Sequence, residues 1–388
     1  MSRMRIVVMG YLASCPIAGV VWQHLHYIAG LQRLGHEVYY IEDSARIPYN
    51  PATGGPDTDP AQPAALLKAL AERFGFRDRW AYCPRHLPQR LSFGLPLQKV
   101  HALYAQADAI FNLCGAQELH EDLLASQRIL LIESDPGAAQ VEVDQGRAAT
   151  LELLRRHHRR FTFGENIGTK DFPVPLHGVE WLPTRQPVIT EWWDTAAAPP
   201  PAEAVFTTVT NWSASATVQW RGRPYRWDKS LEFLKFVDAP AVTGEAFELV
   251  TDLPDPALAA LFRRQGWRQL PTAAVNGDPD AYRRYVQASR GEFTATKQIV
   301  VALRTGWFSD RSACYLAAGR PVVTQDTGFG RLYGGPGLAA FTTMEEVADA
   351  MQRIRADYAA HCRGAREIAR EHFEAVTVLQ SVLDRAGL

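Results

Sequence analysis

The run from Ile6 to Met9 is apolar at every position, with no alternation. A strand covered on both faces reads this way, as strands of parallel sheets do. Over residues 20–34 the period changes, and Val21, Leu25, Ile28 and Leu31 fall on one helical face. Gly35 ends that helix, since glycine tolerates the left-handed backbone of a helix C-terminus. Residues 37–42 form a second apolar run between two glutamates. A β-α-β unit this short calls for a right-handed crossover and parallel strands. The same reading predicts strands over 109–113, 128–133 and 161–163 and helices over 64–74 and 148–158, with 48–63 as an exposed Pro/Gly/Asp loop. After 204 the alternation resumes. Strands are expected over 205–210, 247–250, 292–296 and 322–324, helices over 230–237, 257–265 and 280–288, and a largely helical end over 344–388. Strands alternating with helices predict doubly wound parallel sheets.

Residues 192–204 interrupt the pattern with Trp-Trp-Asp and then an Ala/Pro-rich tract, a linker signal. The 388 residues exceed what one core organises and suit two α/β domains. The fold class expected is therefore α/β, with two Rossmann-like doubly wound domains facing across a cleft. Such clefts are the usual place for a ligand. Lys and Arg number 41 against 42 Asp and Glu, a balance that disfavours a polyanion such as nucleic acid as main ligand. The five cysteines are scattered, with no C-x-x-C pair, which reads as reduced thiols and no zinc site. The sequence carries no signal-peptide pattern and no apolar run long enough to span a membrane, so a cytoplasmic protein is expected.

Chemistry concentrates in two places. Gly306 to Gly328 reads as a polar loop, a short helix, a Gly-Arg-Pro turn, a buried strand and a second polar loop. Ser309, Asp310, Arg311 and Ser312 open the helix, where free N–H groups and the positive dipole end favour phosphate. Arg311 would add a charged fork. The duller reading is an N-cap beside a solvated arginine. The second place runs from Asn211 and Trp212 to Lys229, with Arg221, Arg223 and Arg226 between. A lysine at a helix start opposes the dipole unless an anion is near. His24 and His26 lie near the start of the first helix, and one of them could serve as a general base. Asp135 tops a strand, as a second candidate base or simply as part of an Asp-Pro-Gly turn. No cluster with metal-ligand spacing stands out.

With these residues in view, the chain resembles glycosyltransferases of the GT-B fold. The resemblance rests on the opening strand through Gly35-His36-Glu37-Val38, on the segment from Arg311 to Gly328, and on Arg370-Glu371-His372-Phe373 with its closing helix. It implies an acceptor-binding domain over 1–191, a linker over 192–204 and a donor-binding domain over 205–365, with 366–388 returning to the first. It also implies transfer of a sugar from a nucleotide-diphosphate donor to a hydroxyl of a soluble small-molecule or glycan acceptor. Neither cofactor nor metal is expected, the nucleotide sugar being a co-substrate. Lys229 and Arg311, with Arg226 behind them, would offset the leaving diphosphate's charge, and Gln325, Asp326 and Thr327 match the loop that meets the sugar. His24 ranks first as base and Asp135 second. Two departures stand out: Cys314 occupies the place where many relatives carry a ribose-binding glutamate, and Gly306 and Trp307 stand where an earlier acid is usual. Rival readings are a nucleotide-sugar epimerase, a phosphorylase, and a sugar-nucleotide binding module without catalysis.

Overall fold

The computed structural model describes residues 3–388 except 52, 125, 127, 197, 213 and 215. β1 (Arg5–Met9) and β2 (Glu37–Ser44) are followed by a small hairpin, β3 (Tyr49–Asn50) and β4 (Gly55–Pro56). Then come β5 (Trp80–Pro84), β6 (Phe93–Gly94), β7 (Ala109–Leu113), β8 (Ile129–Glu133), β9 (Arg159–Thr162) and β10 (Leu182–Pro183). Apart from the small hairpin these form one eight-stranded sheet in the order β10-β9-β8-β7-β1-β2-β5-β6. It is parallel except where β6 runs antiparallel to β5.

The second half supplies β11 (Phe206–Val209), β12 (Thr217–Trp220), β13 (Arg223–Arg226), β14 (Phe247–Val250), β15 (Arg268–Leu270), β16 (Gly291–Thr294), β17 (Val322–Gln325) and β18 (Leu338–Phe341). Six of them make a parallel sheet in the order β15-β14-β11-β16-β17-β18, while β12 and β13 pair separately as an antiparallel hairpin. The architecture is two Rossmann-like sheets, as the alternation of elements predicts.

Both sheets reverse direction at their first strand. From β1 the chain builds outward through β2 and β5, then returns to the other side with β7 and β8. From β11 it builds through β14 and β15, then returns with β16, β17 and β18. Loops leaving strands on either side of such a reversal diverge and leave a crevice. The crevices at β1/β7 and β11/β16 are thus where a ligand site is expected.

The apolar strands are buried because helices cover both faces. Ile6, Val7, Val8 and Met9 have no exposed surface, as their unbroken apolar run requires. The second core is largely aromatic: Phe247, Trp267 and Phe293 pack together, and the Phe293 ring stacks on Phe341 at 5.3 Å. The final helix, Ala375–Ala386, crosses back to the first half, where Leu379 and Ala375 pack against Gly30. Its approach is fixed by backbone pairing of Val188 with Phe373 and Ala375. The start of the linker tract is not exposed: Trp193 is fully buried and Trp192 stacks on His26 at 5.4 Å.

The hairpin β12–β13 falls in a stretch that reads as a polar loop. Its turn, Arg221-Gly222, has positive φ at both residues (49° and 75°), the geometry of the tight turn whose twist suits two antiparallel strands. Arginine rarely supplies that conformation, so the turn leaves no signal in the sequence. Among the hairpin's residues only Trp220 is buried.

Candidate active site

One cleft lies between the two crevices. Its first wall comes from the loop after β1 and the helix behind it (Tyr11, Gly19, Gln23), the tip of β8 (Ser134, Asp135) and Phe163. Its second wall comes from the end of β11 (Thr210, Asn211), the start of the helix Ser230–Leu234 (Asp228, Lys229), Lys297 after β16, and Ser309, Asp310 and Arg311. Tyr282, Trp227 and Trp307 add aromatic faces. Of the residues singled out in the sequence, Asp135, Asn211, Lys229, Ser309, Asp310 and Arg311 line this cleft.

Three cations on the second wall differ in what they do. Arg311 is largely spent on its own domain. Its Nε donates to Glu292, which is fully buried, one Nη donates to the Val209 carbonyl at 2.8 Å and the other to Thr294 Oγ1 at 3.0 Å. Burial opposes its charge, but Glu292, Tyr282 and Tyr315 together outweigh burial and hold the guanidinium's pKa above its ordinary value. A buried arginine has to be paired, and the strand ends take three of its five N–H donors, so the expected fork on a diphosphate is only partly available. Lys297 reaches across the cleft and pairs with Asp135 at 2.5 Å. Lys229 is 9% exposed and has no hydrogen bond or ion pair through its ammonium among the described residues. Burial, then Arg311 and Lys297, push its pKa well below the lysine range. An unpaired buried charge costs several kcal/mol, roughly, unless an anion joins it.

Asp310 is the first residue of its helix, Asp310–Ala317. Burial pushes its carboxyl pKa up against the opposing pull of Arg311. Ser309, the N-cap, makes no side-chain cap bond. Ser312 has no exposed surface, and its hydroxyl has no partner among the described residues. Asn211 is exposed at the cleft edge.

Several expectations are corrected. His24 is fully buried and does not face the cleft: its Nδ1 bonds the Val20 carbonyl at 2.7 Å and its Nε2 accepts from the Tyr11 N–H at 3.2 Å. The ring fills the space a side chain at Gly10 would need, coming within 2.1 Å of an added Cβ. Burial lowers its pKa to about 4, so it stays neutral and braces the glycine loop. Trp212 belongs to the second core, against Phe233 and edge-on to Phe262. Arg226 lies on the exposed face of the hairpin β12–β13, where its backbone N–H bonds Gln298. Gln325, Asp326 and Thr327 do not line the cleft. Gln325 is buried on Glu232 and the Thr296 N–H, Asp326 accepts from the Gly328 and Gly330 N–H groups, and Thr327 donates to the Trp307 carbonyl. Their loop folds back to brace the 305–308 segment instead of reaching the cleft.

That segment explains the departure at Gly306. Its φ is +75°, and an added Cβ would lie 2.8 Å from the Asn166 backbone nitrogen of the first half. Asn166 also donates to the Arg304 carbonyl at 2.9 Å, and Trp307 Nε1 to the Ser134 carbonyl at 2.8 Å. No acidic side chain fits there because the two halves meet at this point. Cys314 is buried beside Tyr282 and Arg311. The residues missed in the sequence, Lys297, Tyr282 and Trp307, are loop or helix positions. Lys297 carried one usable signal: it follows a parallel strand, as Asp135 does.

Among the described residues no group of three or more His, Cys, Asp or Glu is arranged to hold a metal ion, and no helix is long and apolar enough to cross a membrane. No family model matches the chain, and no curated protein sequence matches it. Solved structures do match its fold. An alpha-glucosyltransferase in complex with UDP and a 13-mer DNA containing a HMU base is matched over 100% of both chains, with a TM-score of 0.58 and 12% identity. A glycosyltransferase from Rickettsia africae ESF-5 is matched over 100% of this chain and 98% of that one (TM-score 0.53, 11% identity). The pneumococcal O-GlcNAc transferase GtfA, in complex with UDP and GlcNAc, is matched over 100% and 99% (TM-score 0.52, 8% identity). The fold is GT-B, two Rossmann-like domains arranged as in nucleotide-sugar glycosyltransferases.

Proposed function

We propose that the protein is a glycosyltransferase, moving a sugar from a nucleotide-diphosphate donor to a hydroxyl of a small-molecule or glycan acceptor. Residues 205–365 would hold the donor and 1–191 the acceptor. The observation that carries this reading is Lys229, a buried ammonium on the cleft wall without a counter-ion. A diphosphate supplies that charge and removes the mismatch of a lysine at a helix start. Neighbours of the same fold hold UDP, which supports the reading.

In the reaction, the acceptor oxygen attacks the anomeric carbon as the bond to the diphosphate oxygen breaks. Lys229 and Lys297 offset the charge that develops on the leaving nucleoside diphosphate, so no metal is required. With His24 sealed in the core, Asp135 at the cleft is the group we assign to take the hydroxyl proton in an inverting reaction. This requires Lys297 to turn from Asp135 to the diphosphate.

The test is a melting screen with UDP, GDP, ADP and dTDP, with and without EDTA, on the parent and on Lys229→Met. At least one nucleotide raises the parent's Tm, EDTA leaves that rise intact, and Lys229→Met weakens binding about ten- to a hundredfold, the worth of one charged hydrogen bond. Release of nucleoside diphosphate from the matching donor, faster with acceptor present, separates an enzyme from a binding module. Four nucleotides without effect at saturating concentration refute the reading.

A further inference from the structure

The hairpin β12–β13 springs from the donor wall. Its first arm follows Asn211, its second runs into Trp227, Asp228 and Lys229, and it ends on the other half of the molecule. Trp220 Nε1 donates to Asp144 Oδ2 at 2.8 Å, and Gln145 Nε2 donates to the Gln219 carbonyl. Asp144 and Gln145 lie at the end of the helix Ala138–Asp144 in the first half. Trp220 is 5% exposed on a hairpin whose other residues are exposed or half-buried, so its burial comes from docking. Asp144 is held from the other side by His177 Nε2 at 2.7 Å, and the Arg221 guanidinium covers the Trp220 ring at 4.4 Å. The second arm is clipped to the donor half: the Arg226 N–H bonds Gln298 Oε1 at 2.8 Å, and the Gln298 N–H bonds the Asp228 carbonyl at 3.2 Å. Gln298 directly follows Lys297.

We propose that this hairpin is a strap across the cleft and that Trp220, latched on Asp144, is a positioning residue that acts through Lys229. The latch sets the arm that ends at Lys229 and, through Gln298, the backbone that carries Lys297. Two of the three cations of the donor wall, Lys229 and Lys297, are thus tied through the strap to the opposite half, Lys297 also directly through Asp135. With the strap docked, a diphosphate meets Lys229 already in place and the backbone of Lys297 set so that its side chain can turn from Asp135. With it released, Lys229 loses its support and the cleft opens at Ala214 and Trp227, both wall residues. The strap is therefore docked when ligand is bound and has to lift for exchange. The effect on ligand rests on the proposed diphosphate site, whereas the docking itself does not.

The probes are trypsin and the same four nucleoside diphosphates. The hairpin tip offers exposed Arg221 and Arg223, with Pro224 protecting the bond after Arg223, so cleavage after Arg221 reports an undocked strap. In ligand-free protein, Trp220→Ala and Asp144→Asn speed that cleavage about tenfold or more, the worth of a hydrogen bond to a carboxylate. In the parent, the nucleotide that raises Tm slows the cut. Trp220→Phe keeps a buried ring but loses the N–H, so it separates the bond from the packing: melting without ligand stays near the parent while nucleotide affinity falls about tenfold. Two results overturn the proposal. One is equal cleavage after Arg221 in the parent, Trp220→Ala and Asp144→Asn. The other is a nucleotide that binds the parent and binds Trp220→Phe equally well. If no nucleotide binds the parent, the proposed function fails, and the ligand-free cleavage rates still decide whether the strap docks.

Discussion

The strand ends of the two sheets carry opposite charge. Glu42 and Asp43 lie at the end of β2 and Glu133 and Asp135 at the end of β8 in the first half, whereas Lys229, Lys297 and Arg311, beside Asp228 and Asp310, line the second wall of the cleft. Most of the first set is consumed internally. Glu42 accepts from Ser14 and Tyr40, Asp43 from Arg85 and Tyr104, and Glu133 from Gln140 and Thr162. Burial raises the Glu133 pKa to about 8, a carboxyl made neutral by its surroundings and not by a ligand. Only Asp135 is left at the cleft, and it holds Lys297. In the second half Arg311 is largely consumed while Lys229 is free. The cleft is polarised by what each half leaves unpaired: Asp135 on the first wall faces Lys229 and Lys297 on the second, with Asp310 beside Arg311.

Arg311→Met should cost the fold the most. It leaves Glu292 buried without its cation, and stability should fall by about 3–5 kcal/mol. Urea unfolding measures it; a loss below about 1 kcal/mol would return Arg311 to the ligand-binding set. Asp135→Asn is next. It removes the carboxylate and frees Lys297, so turnover should drop about a hundredfold or more while nucleotide affinity holds or rises. A variant with parental turnover removes Asp135 as base.

His24→Ala sharpens the contrast between a titratable group that is sealed and one that is available. The ring supports the Tyr11 N–H and fills the space at Gly10, so its loss should cost about 2 kcal/mol, in line with a buried hydrogen bond plus a cavity. Turnover per folded molecule should stay within about threefold; a fall like that of Asp135→Asn would put the imidazole back in the mechanism.

The sequence makes the sheets and their order legible, because a run such as Ile6–Met9 has to be covered on both faces whatever surrounds it. It places Asp135 at the cleft because it follows a parallel strand, and Lys229 because a lysine that opens a helix opposes the dipole unless an anion is near. It does not reveal that His24 turns inward: the helical period puts Val21, Leu25 and Ile28 on the core face, and only the glycine loop folding over the ring seals the histidine. Arg311 is misjudged for a related reason. Its partner Glu292 is nineteen positions away in the chain (311 − 292), and no local pattern shows that β16 presents a buried acid to it. The strap is hidden because its strands are solvated and its turn uses an arginine at positive φ. Relations between distant segments are what local pattern leaves unwritten.

The finest distinction between the two walls is the protonation of Lys229. Its pKa in the folded protein lies below the unfolded value, so the unfolded chain binds more protons between the two. Stability from this site is present above the unfolded lysine pKa and is lost as pH falls through the folded one. Lys229→Met should flatten that part of the stability-pH curve without moving the acid limb. A diphosphate reverses the shift by favouring the charged ammonium. Binding above the ligand-free pKa should then take up a proton, by at most about one per site, and titration calorimetry in buffers of different ionisation enthalpy reads it directly. Lys229→Met should abolish the uptake. If the parent binds nucleotide with no proton exchange at any pH across that window, the ammonium already has its counter-ion, and the charge left over on the second wall has to be sought elsewhere than at Lys229.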